Sequence, residues 1–350
     1  MTIFLSHITA LECWNSGLLD ALAFPPHSIA RAPLGCMEEK RLADTLATRR
    51  SKAACRETLP FGTDAQSDAS LCKPTAQDVA ELRALGIAPQ LKRLHVLVPG
   101  KSARNHLRGV ECHVCTSNLP AGSFLRLSEN LFVASPELCF LQAAPALPFP
   151  ALVKLGYDLC SRYARSFDGS TSYDRPLPLT TAHVIEGFLD AVGLRGTAPA
   201  RKALRYVAEC SRSPMETALA CALCLPPRHG GYGLPLPCMN YRVDTDRADR
   251  GGGAGYRLCD LFWPKARLAV EYDSDLEHTG PQRIAADAAR RNALETEGVT
   301  VITATRQQVM RPLHLDRLAH QIARRLNVRI RDERLPSLSA RARLMESLVA

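Results

Sequence analysis

The 350-residue chain reads as an α/β protein, and three observations predict it. Short runs rich in Val, Leu and Ile alternate with segments whose apolar residues recur at helical spacing. Gly, Pro and N-capping residues separate the two kinds of segment. Hydrophobic residues make up 46% and charged residues 23%, enough apolar material for a sizeable core. No internal repeat is visible. No run approaches the ~20 apolar residues that cross a bilayer, so no membrane partner is expected. The opening Met1–Trp14 segment has His7 and Glu12 early and no basic stretch, unlike a secretory signal.

In chain order, Ser6 caps a short helix predicted over 6–22, and a second helix is expected at 37–50 within an otherwise aperiodic stretch, 24–75. Thr75 opens a helix that stops near Gly86. Strands follow at 94–98 and 110–116, with a pair at 123–127 and 131–134 joined by a polar turn. Helices are predicted at 136–144 and 151–165. A Ser/Thr/Asp/Pro-rich connector spans 167–181, and helices are expected near 181–193 and 199–209. The last region is the most regular. Ser213-Pro214-Met215-Glu216 has the capping-box pattern of a helix running to about Leu225. Strands at 239–243, 256–262 and 267–272, a helix at 284–297 closed by Gly298, a strand at 299–305 and a helix over 306–326 complete an α-β-β-β-α-β-α order. The implied division is a helical segment (1–72), an α+β domain (73–180), a helical connector (181–212), the C-terminal α/β domain (213–328) and a tail (329–350).

Charge is uneven. Residues 1–200 hold 20 Lys and Arg against 18 Asp and Glu, whereas residues 201–350 hold 24 against 17. The basic C-terminal part suggests a polyanionic partner, most simply DNA. Because 36 of the 44 basic residues are Arg, base composition of the genome is a competing source of the excess. Thirteen scattered cysteines point to free thiols in a reducing, cytoplasmic setting. Cys112-x-x-Cys115 lies in a strand and Cys221-x-x-Cys224 on a helix, too far apart in sequence for a zinc ribbon, so no zinc is expected.

The chemistry concentrates in Asp260, Glu271, Asp273 and His278. A four-residue turn at 263–266 would pair Phe262 with Arg267 and set Asp260 opposite Ala269, with Glu271 diagonally beyond and Asp273 two residues further on the same face. Carboxylates so gathered repel unless a cation joins them, and a hard cation such as Mg²⁺ or Mn²⁺ suits them. Such a cation lowers the pKa of a bound water and offsets charge on phosphoryl oxygens. The bland alternative for each acid is a solvated strand end. Trp263 at the turn either stacks on a base or is a partly buried turn aromatic.

With these residues in view, 213–310 resembles the very-short-patch-repair-like (Vsr-like) endonuclease domains of the PD-(D/E)XK superfamily. The carriers are Ser213-x-x-Glu216, Asp260, Glu271-x-Asp273 with His278, Asp287 with Arg290 and Arg291, and Gly298-Val-Thr-Val-Ile. The resemblance implies a restriction-endonuclease-like αβββαβ core with a mixed sheet, preceded by an α+β domain. It also implies a metal held by Asp260, Glu271 and Glu216, with Asp273 as a further acid and His278 as general base or as a loop histidine capping the next helix. Asp273 stands where the superfamily has its lysine, Ser274 replaces a frequent glycine, and His278 comes two residues late. Arg283, Arg290, Arg291 and Arg306 are candidate phosphate contacts, and Asp287, Arg290 and Arg291 can equally form an ion-paired helix face. More faintly, Leu5-Ser6-His7-x-x-Ala10-Leu11, Leu94–Val98 and Leu131-Phe-Val-Ala-Ser135-Pro136-Glu137 resemble AbiEi-type antitoxin and regulator proteins. Three readings follow: a Mg²⁺-dependent DNA endonuclease, a nuclease fold that binds DNA or regulates without cutting it, and a protein whose basic excess has no nucleic-acid role. A second copy or a toxin/antitoxin-type protein is a compatible partner.

Overall fold

The computed structural model describes residues 2–23, 36–54, 60–62, 72–165, 172–245, 255–273 and 281–349. In chain order the elements are β1 (Ile3–Leu5), α1 (His7–Asn15), α2 (Asp20–Ala23), α3 (Cys36–Ala54), α4 (Ala76–Ala84), β2 (Leu94–Val98), β3 (Val110–Val114), β4 (Phe124–Ser128), β5 (Leu131–Ala134), α5 (Pro136–Ala143), α6 (Phe149–Leu159), β6 (Tyr163–Arg165), β7 (Ser172–Asp174), α7 (Ala182–Ala191), α8 (Thr197–Leu204), α9 (Pro214–Cys224), β8 (Cys238–Asp244), β9 (Tyr256–Trp263), β10 (Leu268–Asp273), α10 (Pro281–Thr296), β11 (Thr300–Thr305), α11 (Arg306–Met310), α12 (Pro312–Arg325) and α13 (Leu338–Val349). Helices combine with sheets of mixed strand direction, so the protein is α/β. Two compact units share the chain. The first takes Met1–Ile29, Arg41–Pro148 and Ala164–Arg205, and the second takes Ala30–Lys40, Phe149–Tyr163 and Tyr206–Ala350. No described helix is long and apolar enough to cross a membrane.

The first unit is built on a five-stranded sheet in the order β3-β2-β1-β5-β4. Its middle strand, β1, runs parallel to β5 and antiparallel to β2. The predicted 6–22 helix is therefore shorter than expected, with a strand before it. Ile3–Leu5 is too brief for a periodicity signal, and burial of all three residues between two partners fixes it as a strand. Gly17, at φ 75°, follows the end of α1 and separates it from α2. Phe4 packs edge-on against Phe124 and stacks on Phe132, each at 4.9 Å between ring centroids. Thr75 and Asp78 form a reciprocal capping box on α4, and Ser135 caps α5 with Pro136 in its first turn, both as the sequence pattern predicts. The helix predicted over 151–165 ends at Leu159. There the Cys160 N–H turns inward to the carbonyls of Gly156 and Tyr157, and Tyr163–Arg165 pairs with β7 inside the supposed connector.

In the second unit the sheet order is β11-β10-β9-β8, parallel between β10 and β11 and antiparallel elsewhere. Elements α9 to α11 follow the predicted α-β-β-β-α-β-α order, but the helix expected over 306–326 is broken at Arg311, before Pro312, into α11 and α12. Gly298, at φ 71°, closes α10 as expected. The hairpin register differs from expectation by one residue on each strand, with Trp263 opposite Leu268 and Phe262 opposite Ala269. Trp263 stays in the strand because it is 5% exposed and its indole N–H donates to the Pro235 carbonyl at 2.8 Å. The turn becomes 264–267 instead, with Arg267 in the left-handed region at φ 45°. A burial of this kind leaves no indole face for a base, which removes the stacking role for Trp263. Residues 329–350 are more than a tail, since α13 buries Leu344, Met345 and Leu348 and packs on α6, α9 and α12. Beside it, Gly231 admits no side chain, as a Cβ there would sit 2.1 Å from the Leu225 carbonyl oxygen.

Candidate functional site

The β9–β10 ladder runs from Trp263–Leu268 to Leu261–Val270, and Asp260 and Glu271 are the next residue on each strand. The predicted arrangement was diagonal; a shift of one residue on each strand preserves the shared face while closing the separation. The Tyr272 N–H donates to Asp260 Oδ2 at 2.8 Å, fixing that carboxylate against β10. On the same pleat, Phe262 and Ala269 pack with Leu294 of α10 and with Val299. Four residues of helix advance about 6 Å and two residues of strand about 6.6 Å. Arg290, one turn before Leu294, therefore meets Glu271, two residues beyond Ala269. Its NH2 donates to Glu271 Oε2 at 2.6 Å and to the Leu258 carbonyl at 2.7 Å.

The third acid comes from α9. Ser213 Oγ accepts from the Glu216 N–H at 3.1 Å, which is the expected half of the capping box. The other half is absent. Glu216 is 7% exposed and its Oε2 accepts from Asn240 Nδ2 at 2.7 Å and from the Arg212 N–H at 3.0 Å. Arg212 is in turn held by an ion pair with fully buried Glu39 at 2.7 Å. Asn240 and Cys210 are both at positive φ, 45° and 69°, and Asn240 Nδ2 also donates to the Cys210 carbonyl at 3.1 Å.

Electrostatically, the three acids behave as a group. Burial first, then the charge of Asp260, holds both Glu216 and Glu271 above the usual carboxylate range. Burial likewise raises Asp260, against the lowering effect of the Tyr272 N–H and of Arg290 and Arg212. Glu271 Oε1 is buried without a hydrogen bond of good geometry, while the Asp260 N–H and the Cys259 thiol lie near the same carboxyl. Such an oxygen is costly to desolvate and is what a cation or a water would satisfy. Among the described residues no three His, Cys, Asp or Glu side chains already form a ready metal cage. The residues that could hold a cation here are Asp260, Glu271 and Glu216, and carboxylate oxygen is the donor type that hard divalent cations take.

Asp273 lies at the C-terminal end of β10 in register with Thr305 of β11. Thr305 caps α11, so Arg306 emerges at that same edge, exposed. Arg291 donates to Thr303 Oγ1 at 3.2 Å. Arg290 is engaged with Glu271 across elements, so it serves the carboxylate site itself in addition to any helix-face pairing. His278, and the side chains of Arg283 and Asp287, lie outside the described residues. The sequence reading missed Arg212 and Asn240. Arg212 directly precedes the Ser-Pro-x-Glu cap, which is the one local signal that could have marked it; Asn240 carries none.

The described cysteines are free thiols, with Cys112, Cys221 and Cys224 buried. Two curated relatives, uncharacterized proteins of Mycobacterium tuberculosis strains CDC 1551 and H37Rv, are each 33% identical to this chain over 135 residues, covering 39% of it and 45% of the relative. The chain thus spans less than half the length of the curated relatives it matches. No family model matches the sequence, and no solved structure matches the fold.

Proposed function

We propose that the second unit is a metal-dependent DNA endonuclease of restriction-endonuclease-like, Vsr-related architecture. The observation that carries this reading is the gathering of three largely buried acids, Glu216, Asp260 and Glu271, from α9, β9 and β10, each held by named hydrogen bonds and with Glu271 Oε1 buried. A bound Mg²⁺ or Mn²⁺ would supply a nucleophilic water of lowered pKa and offset phosphoryl charge. Asp260 is oriented by the Tyr272 N–H, and Glu216 by Asn240 and Arg212. Arg290 limits the net negative charge of the site and, at its outer side, can face a phosphate. Asp273 occupies the position of the superfamily lysine, so positioning of the water would fall to the carboxylates, which a bound cation would hold ionised. Arg291 and Arg306 extend basic character along the same end of the sheet, where backbone-phosphate contact would be sequence-independent and weakened by salt.

One observation favours the second reading, a DNA-binding or regulatory protein that does not cut. The Arg290 ion pair takes up one oxygen of Glu271 at 2.6 Å, and no lysine stands in Asp273's place. Plasmid and mismatched-duplex cleavage with Mg²⁺ or Mn²⁺, comparing the natural chain with Glu271→Ala, separates the two. The endonuclease reading expects cleavage that the substitution abolishes. Salt-sensitive duplex binding without cleavage in either protein supports the second, and cleavage that survives Glu271→Ala overturns the assigned site.

A further inference from the structure

The first unit contains a cavity of about 220 Å³ between α1, α5, α7 and the loop before β4. Val184, Gly187 and Phe188 of α7 line it, together with the buried rings of Trp14 and Phe124. One charged side chain reaches it. Glu137, in the first turn of α5, is 6% exposed, and its Oε1 is buried with no hydrogen-bond partner. Trp14 cannot supply one, because its indole N–H donates to the Ala134 carbonyl at 2.8 Å. The cap hydroxyl, Ser135 Oγ, is likewise turned to the Leu138 N–H. The helix dipole favours negative charge at this turn, yet a buried carboxylate oxygen left without a donor is an exception in folded proteins. Glu137 also belongs to the Ser135-Pro136-Glu137 motif, which the carboxylate site of the second unit leaves unused.

We propose that this cavity binds a small organic cation, with an aromatic or short apolar body against Phe188 and Val184 and an ammonium or amidinium group donating to Glu137. The three features are complementary to one another. An enclosed carboxylate needs a donor, a nitrogen cation supplies two or three, and aromatic faces favour a neighbouring cation. A cavity below the usual range of ligand pockets restricts the body to about one ring or a short chain. An anionic ligand would meet the carboxylate, and a purely apolar one would leave it unpaired.

Gly187 provides a way to close the cavity without disturbing its carboxylate. A Cβ at Gly187 would meet nothing within 4 Å, and leucine suits a helix interior better than glycine. Phenethylamine and benzamidine are titrated into the 350-residue chain, with 2-phenylethanol as neutral counterpart, and binding is read by ligand-observed NMR and by thermal shift. The expected result is saturable binding of the amines at least tenfold tighter than of the alcohol. Glu137→Gln should reduce that preference to within about twofold, and Gly187→Leu, its fold checked by circular dichroism, should abolish binding of all three. Equal binding of amine and alcohol by the natural chain overturns the proposal. So does amine binding that survives Gly187→Leu, or the absence of saturable binding by either cation.

Discussion

Glu271 illustrates how a site can be destabilising on its own. Its carboxyl is pushed up to about 8 by burial and by the nearby charge of Asp260, so ionising it in the metal-free protein works against folding. Glu271→Gln removes that charge while keeping an oxygen for Arg290. The substitution is expected to stabilise the chain by about 1–2 kcal/mol at pH 8 in EDTA, as commonly seen when a strained functional group is neutralised. The gain should vanish at pH 4, where the natural carboxyl carries its proton. Urea titrations at the two pH values check this, and equal stability of the variant and the natural chain at pH 8 would show that Arg290 already compensates the charge. The placing of Asp260 and Glu271 on adjacent strands was legible from strand alternation, whereas Glu216 was joined to them only through the resemblance to Vsr-like domains. Asn240 and Arg212 were not legible, since their roles depend on a left-handed backbone turn and on a partner, Glu39, from a distant segment.

The elements most readily predicted were those with punctuation at both ends, such as α4 with its Thr75–Asp78 box and α10 with Gly298. Those misread were held by long-range pairing. β1 is three residues long, and β6 follows a helix whose apolar pattern continues into it. α13 went unnoticed because Arg341 and the charged residues around it mask an apolar face. Arg341 is itself buried, with its guanidinium paired to Asp316 of α12 and lying over the Tyr232 ring. That face makes α13 part of the second unit's core. Leu344→Ala and Leu348→Ala, at 6% and 1% exposure, should each cost about 2–4 kcal/mol. Chemical denaturation is the measurement, and a loss below about 0.5 kcal/mol for both would mean that α13 detaches at little cost. An exposed control, Leu338→Ala, should lie within about 0.5 kcal/mol of the natural chain.

The two units are expected to respond to acid in opposite directions. In the first, burial and the mutual repulsion of neighbouring rings hold His7 down to about 3, and burial lowers His95 and His113 as well. The rings are stacked, with 3.6 Å between the centroids of His7 and His113, and His95 Nδ1 meets His113 Nε2 at 2.9 Å. Above about pH 6.5 they are neutral whether folded or unfolded. Below it, the unfolded chain gains protons that the folded unit refuses, and stability falls. In the second unit the carboxyls are raised, so the unfolded chain releases protons first as pH climbs from about 4, and stability is lost on the alkaline side instead. The chain has two tryptophans, Trp14 in the first unit and Trp263 in the second, so Trp263→Phe and Trp14→Phe each leave one reporter. From pH 7 to pH 5 the Trp14 transition in urea should move to lower denaturant and the Trp263 transition to higher. Parallel movement of both would contradict the assignment. The central place of β1 has a further consequence, during synthesis. Leu5 pairs with Val96 and Val133, and at about 5–20 residues per second the ribosome delivers the second partner roughly 6–25 s after the first strand. The middle of the sheet is thus made first and waits longest, an apolar segment that a nascent-chain chaperone has time to hold.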